Sequence, residues 1–193
     1  MKRPGFLRAL AGAALAGMSP RAIAAAVPRN KSRMLWLRHQ DGDEVVAPFC
    51  VDGRTVYLPG YQRICWLLRD RHVDSSQGYV RFDIVEIEVL WEVQHALALL
   101  GVLKPLVITS GYRTLQTNEA TEGAARNSMH LYAKAADMYV DGVSTRDLFD
   151  VCWSRALAGG MGYYDDHVHV DSGTRRWWVG EVPIPSFEPS EQG

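Results

Sequence analysis

Residues 128–140 read SMHLYAKAADMYV, and residues 165–173 read DDHVHVDSG. The second segment alternates, with His167, His169 and Asp171 at every other position and Val168 and Val170 between them. In an extended strand such neighbours fall on opposite faces, so the valines turn to a core and the three polar residues share the other side. The first segment sets His130 and Asp137 seven apart and runs from small polar residues into the apolar, strand-like AADMYV. If the two strands lie side by side, His130, Asp137 and His169 converge. Two imidazoles and a carboxylate are donors that zinc accepts, and three protein ligands with an open fourth position make the catalytic form of a zinc site. His39, His72 and His95 stand alone and read as surface or hydrogen-bonded histidines.

The rest of the chain supplies elements around that strand pair. Residues 34–49, MLWLRHQDGDEVVAPF, read as a hairpin turning at Asp41-Gly42, a dipeptide that tolerates positive φ. Residues 59–71 form a helix opened by Pro59, with Ile64, Leu67 and Leu68 on one face. Residues 82–100 carry apolar side chains at 84, 87, 90, 91, 97 and 100 and end at Gly101, the pattern of the main core helix. A strand over 106–109 leads through a Ser-Gly turn to Arg113. The small, polar residues 114–127 follow as a surface loop or irregular helix. Another helix starts at Ser144 or Thr145 and stops by Gly159, and residues 161–164, MGYY, pair with the HVHVD strand. The fold class expected is α+β, a small antiparallel sheet packed on helices.

At 193 residues and 47% hydrophobic content the chain suits one domain with a proper core. Its first 26 residues begin with Lys2, Arg3 and Arg8, continue as an apolar run over 9–18 and end in small residues, the layout of a cleaved export signal. Ala24 and Ala26 both fit the small-x-small rule for the cut. Lys2-Arg3 followed by Phe6-Leu7-Arg8 is similar to a twin-arginine signal, with lysine at one of the two arginine positions. The division expected is a signal over 1–26, a linker over 27–33, the functional domain over 34–182 and a tail over 183–193. The apolar run is shorter than the roughly 20 residues a membrane span requires. Losing the signal removes four cations and no acids, which moves the formal net charge from -1 to -5. A mildly acidic domain argues against nucleic acid as a partner. Cys50, Cys65 and Cys152 form no C-x-x-C pair, which argues against a cysteine metal site; in an oxidising compartment one pair could bridge and the odd count leaves at least one thiol free, but their apolar neighbours read as buried, inert thiols.

The segment SMHLYAKAAD (128–137) resembles the S-x-H-x-x-G-x-A-x-D signature of the M15 zinc peptidases. Residues 159–178, GGMGYYDDHVHVDSGTRRWW, resemble the end of that family's bacterial murein-endopeptidase branch, and SGYR (110–113) fits the same family. The resemblance covers residues 104–178. It implies a hedgehog/DD-peptidase-like fold, zinc held by His130, Asp137 and His169, and Arg113 holding a substrate carboxylate or carbonyl through its planar fork. It also implies Ser128 and Asp171 as residues that orient the ligands. Arg176, Trp177 and Trp178 read as a strand end packed on the sheet.

The function implied is an exported, periplasmic zinc peptidase hydrolysing amide bonds in the peptides of peptidoglycan. A D,D-carboxypeptidase of the same family and a non-catalytic wall-binding domain are the alternatives. Zinc would polarise the scissile carbonyl and lower the pKa of its bound water. Two residues compete for the general base: His167, which shares the strand face of His169, and Asp166, three before it. Two positions depart from the family pattern. Ala133 replaces a glycine, so a positive φ there would strain the loop carrying His130. His167 replaces an aromatic residue, which makes the H-x-H resemble the related zinc carboxypeptidases.

Overall fold

A computed structural model describes residues 32–155 and 158–180. The expected signal, most of the linker and the tail lie outside the described residues. The elements follow in the order β1 (Arg33–His39), β2 (Glu44–Cys50), α1 (Leu58–Leu67), α2 (Ser75–Gly78), α3 (Ile84–Leu99), β3 (Leu106–Ser110), α4 (Leu115–Ala120), a 3-10 turn (Met129–Tyr132), β4 (Ala135–Tyr139), α5 (Thr145–Trp153), β5 (Gly160–Tyr163), β6 (Val168–Asp171) and β7 (Arg176–Val179).

The seven strands form one sheet in the order β2-β1-β3-β4-β6-β5-β7. Four of the pairings are antiparallel, as the α+β reading expects. The β1·β3 and β5·β7 pairs run parallel, because α1, α2 and α3 intervene between the first two strands and β6 between the second two. The hairpin joining β1 to β2 turns at Gly42, whose φ of 100° only glycine adopts without strain.

Helix α3 begins at Ile84 rather than Phe82. Asp83 is its N-cap, accepting a hydrogen bond from the amide of Val85, and Phe82 instead packs in the core. Its buried Ile87, Leu90, Val93 and Leu97 lie against β1, β6 and α5. Helix α5 is capped by Ser144 and ends at Trp153, six residues before Gly159. The core joins Leu35 and Leu37 of β1, Ile108 of β3, Met138 of β4, Phe149 of α5 and the two valines of β6. All three cysteines are buried, as the sequence predicts, and none is in a disulfide among the described residues. Among the described residues no helix is long and apolar enough to cross a membrane.

Candidate metal centre

The two signature segments meet at the middle of the sheet. Strand β4 pairs antiparallel with β6 and sets Asp137 directly opposite His169. Val168 and Val170 turn into the core, while His169 and Asp171 take the other face, as the alternation requires. His130 comes from the 3-10 turn just before β4. Ser128 caps that turn, its Oγ accepting from the amide of His130. The turn closes at Ala133 with φ 53° and ψ 41°, the one positive-φ residue other than glycine among the described residues. The strain expected from alanine at this place is therefore present in the backbone.

His130 Nε2 lies 3.2 Å from Asp137 Oδ1 and 3.1 Å from His169 Nδ1, and His169 Nδ1 lies 2.8 Å from Asp137 Oδ1. All three side chains are buried. The outer atom of each is also engaged. His130 Nδ1 is 2.6 Å from the carbonyl of Gly111, His169 Nε2 is 3.3 Å from Asp171 Oδ2, and Arg113 Nη2 donates to Asp137 Oδ2 at 2.6 Å. A carbonyl can only accept, so His130 carries its proton on Nδ1, and the Asp171 carboxylate likewise favours the proton on Nε2 of His169. Both inner nitrogens then present lone pairs toward Asp137 Oδ1, a set of acceptors with no donor among them. Three buried lone pairs turned on one point fit a divalent cation with nitrogen and oxygen preference, as zinc has. Gly111 makes this possible: a Cβ there would collide with the backbone of Leu68, so only glycine brings this carbonyl to His130.

Electrostatics follow from the same contacts. Burial works against ionisation of Asp137, yet its two histidine neighbours hold it well below the usual carboxylate range. Burial lowers the pKa of His130, with Asp137 opposing. Burial works to lower the pKa of His169, but the carboxylates of Asp137 and Asp171 on either side of the ring outweigh it and raise the pKa. Asp171 is fully buried, and that alone would raise its pKa. Bonds from His169, from Arg176 at 2.7 Å and from the amides of Gly160 and Gly173 depress it instead. Asp171 thus remains an anion fixed behind His169, and Arg176 is its counter-ion.

Arg113 stands beside the cluster. Its Nε donates to Ser110 Oγ, and its Nη1 has no hydrogen-bond partner among the described residues. Strand β6 begins only at Val168, so neither His167 nor Asp166 is bound to its alternation. The two rivals for general base are partners: His167 Nδ1 lies 2.6 Å from Asp166 Oδ1. The His167 ring stacks on Tyr164 at 4.3 Å. The hydroxyl of Tyr164 accepts from Trp178 Nε1, and Trp178 packs 5.1 Å from the His169 ring. Trp178, read from sequence as packing alone, and Tyr164, not singled out at all, are the residues through which His167 is joined to the cluster of His130, Asp137 and His169. Their GYY and RRWW settings hold no periodic signal that marks this contact.

Sequence reasoning also missed Glu86. This α3 residue is fully buried, and among the described residues no group hydrogen-bonds either of its carboxyl oxygens. Burial, followed by the nearby Asp171, Asp83 and Asp137, pushes its pKa well up.

Comparison with known proteins places these residues in context. Residues 67–171 match the family model described as Peptidase M15. The chain is similar to the peptidoglycan L,D-endopeptidase MepK of Escherichia coli (strain K12), with 30% identity over 180 residues, covering 89% of this chain and 94% of that protein. It is 27% identical over 169 residues to the probable peptidoglycan L,D-endopeptidase MepK of Haemophilus influenzae, covering 83% and 87%. It is also 29% identical over 93 residues to the zinc D-Ala-D-Ala carboxypeptidase of Streptomyces albus G, covering 46% of this chain and 36% of that protein.

Proposed function

The chain belongs to the peptidase M15 family, and we propose that it is an exported, zinc-dependent endopeptidase that hydrolyses amide bonds in the peptide part of peptidoglycan. The observation that carries the reading is the buried convergence of His130 Nε2, Asp137 Oδ1 and His169 Nδ1, each with its outer atom held by another group. The relatives that span nearly the whole chain are named L,D-endopeptidases, whereas the carboxypeptidase relative covers 46% of it, which favours the endopeptidase reading. The periplasm is the compartment proposed, from the charged, apolar and small-residue order of the first 26 residues.

His130, Asp137 and His169 would hold the zinc. Bound there, the ion supplies Lewis-acid polarisation of the scissile carbonyl and a water acidic enough to attack near neutral pH. Asp171, Gly111 and Ser128 keep the ligands oriented, the first two through ring nitrogens and the third through the backbone of its turn. Arg113 leaves Nη1 to bind a substrate carboxylate or carbonyl while Nη2 holds Asp137. Asp166 accepts from Nδ1–H of His167, so Nε2 carries the lone pair that takes a proton from the attacking water and returns it to the leaving amine.

The reading is tested on purified sacculi with the zinc-replete protein, by identifying the released muropeptides. New termini within cross-linked peptides are expected, and His169→Ala should abolish both stoichiometric zinc and release. A variant that keeps zinc and full activity refutes the ligand set. A protein that sediments with the wall and releases nothing is a binding module.

A further inference from the structure

A groove of about 590 Å³ runs between α1 and the start of β2, outside the metal cluster. Its wall is aromatic. Trp66 is 48% exposed although large, and Tyr79 sits against it with ring centroids 6.0 Å apart. The guanidinium of Arg69 lies 4.3 Å from the Trp66 ring and donates to the Trp66 carbonyl, so the indole is held in place while half of it faces solvent. Gln62 and Arg63 share the exposed face of α1 with Trp66, one turn apart. Neither has a hydrogen-bond or ion-pair partner among the described residues.

The charges lining the groove balance. Asp43 and Glu44 contribute two acids, and Arg63 and Arg71 two cations, with Arg71 Nη1 donating to Asp43 at 2.8 Å. An anionic ligand meets Asp43 and Glu44, a cationic one meets the arginines, and a purely apolar one offers nothing to the side chains of Gln62 and Arg63. A neutral ring whose hydroxyl and amide groups both donate and accept suits every member of this set, and its flat C–H face suits the indole. The groove is also tied to the metal centre. Leu67 lines it, and the carbonyl of the next residue, Leu68, accepts from the amide of Tyr112, between Gly111 and Arg113.

We propose that this groove binds the polysaccharide strand of the wall, as a saccharide subsite for neutral N-acetylated sugar rings with Trp66 as its stacking platform. The inference rests on the endopeptidase reading for its polymer, and it adds a point of grip remote from the bond that is cut. Binding energy of this kind concentrates the enzyme on sugar-bearing substrate and leaves the chemistry at the metal centre unchanged.

The test uses the full-length zinc-replete protein and two probes. The first is a β-1,4-linked trimer of N-acetylglucosamine, which contains no peptide and is read by the shift of the Trp66 indole resonance. The second compares cleavage of intact sacculi with cleavage of a sugar-free cross-linked peptide. The trimer is expected to shift the Trp66 signal. Trp66→Ala is expected to lower kcat/KM on sacculi about 10-fold through KM, the scale of one lost aromatic stacking contact, with the sugar-free peptide cut at the wild-type rate. Unaltered cleavage of that peptide also certifies that the variant is folded, and Gln62→Ala, a surface change, should weaken trimer binding in the same direction. A trimer that leaves Trp66 unmoved, an equal loss on both substrates, or a Trp66 shift produced by the sugar-free peptide and not by the trimer overturns the proposal. If the wild type cuts neither substrate, the endopeptidase reading fails, while the trimer titration still decides the groove.

Discussion

Replacing Glu86 should make the protein more stable. Its carboxyl is fully buried, neither oxygen has a partner among the described residues, and three other acids contribute to its field. An unpaired buried polar group costs about 1–3 kcal/mol even when neutral, so Glu86→Leu, close in volume, should gain that amount at pH 4. The gain should then grow with pH. Because burial raises the folded-state pKa above the unfolded value of about 4.3, the native state binds a proton that the unfolded chain has already released. Stability of the wild type therefore falls, relative to a variant without the acid, by roughly 1.4 kcal/mol per pH unit until the folded-state pKa is passed. Glu86→Gln separates the two contributions, since it keeps a buried polar group and removes the titration. The assay is urea unfolding of the three zinc-free proteins between pH 4 and 8, where the differences between them read Glu86 together with its coupling to Asp171, Asp83 and Asp137. Parallel stability curves for the wild type and Glu86→Gln, or a Glu86→Leu protein less stable at every pH, would refute the reasoning.

Ala133→Gly should leave the fold intact and raise its stability by up to about 1 kcal/mol. It relieves a left-handed alanine costing about 1–2 kcal/mol and gives up one buried methyl worth about 0.8. The readout is a Tm rise of a few degrees, and a fall in Tm would mean that the methyl contact outweighs the strain. His167→Ala should keep zinc and lower kcat by roughly 10²–10⁴-fold, the usual worth of a general base. Asp166→Asn, which keeps a hydrogen-bond acceptor beside Nδ1, should do much less, and the reverse order in zinc-replete proteins would transfer the role to Asp166.

Much of the site was legible because the signals are local. Alternation in HVHVD places His169 and Asp171 opposite two core valines, and that follows from strand geometry whatever surrounds it. The positive φ at Ala133 was likewise anticipated at the one position where alanine stands for the glycine of the resembled family. The start of α3 lies two residues later than the apolar run suggests, because Phe82 continues that run while Asp83, the true boundary, acts through a hydrogen bond that periodicity does not register.

What the sequence by itself determined is the set of elements and the donor chemistry of His130, Asp137 and His169, since residue type and period are properties of short segments. Only the tertiary structure decided which partners complete them. Gly111 and Arg113, from the loop after β3, and Asp171, from β6, reach the outer atoms of His130, Asp137 and His169. Tyr164 and Trp178 tie His167 to His169, and Asp166 becomes the partner of His167 instead of its rival. The parallel closures of the sheet and the burial of Glu86 beneath it belong to the same class. The contacts of Gly111 with His130, Arg113 with Asp137 and Trp178 with Tyr164 and His169, like the sheet closures, join segments apart in sequence, whose pairing is set by how helices and strands pack around a common core; Asp166 and Asp171 meet their histidines within two residues, but no periodicity registers the side-chain geometry that makes them partners.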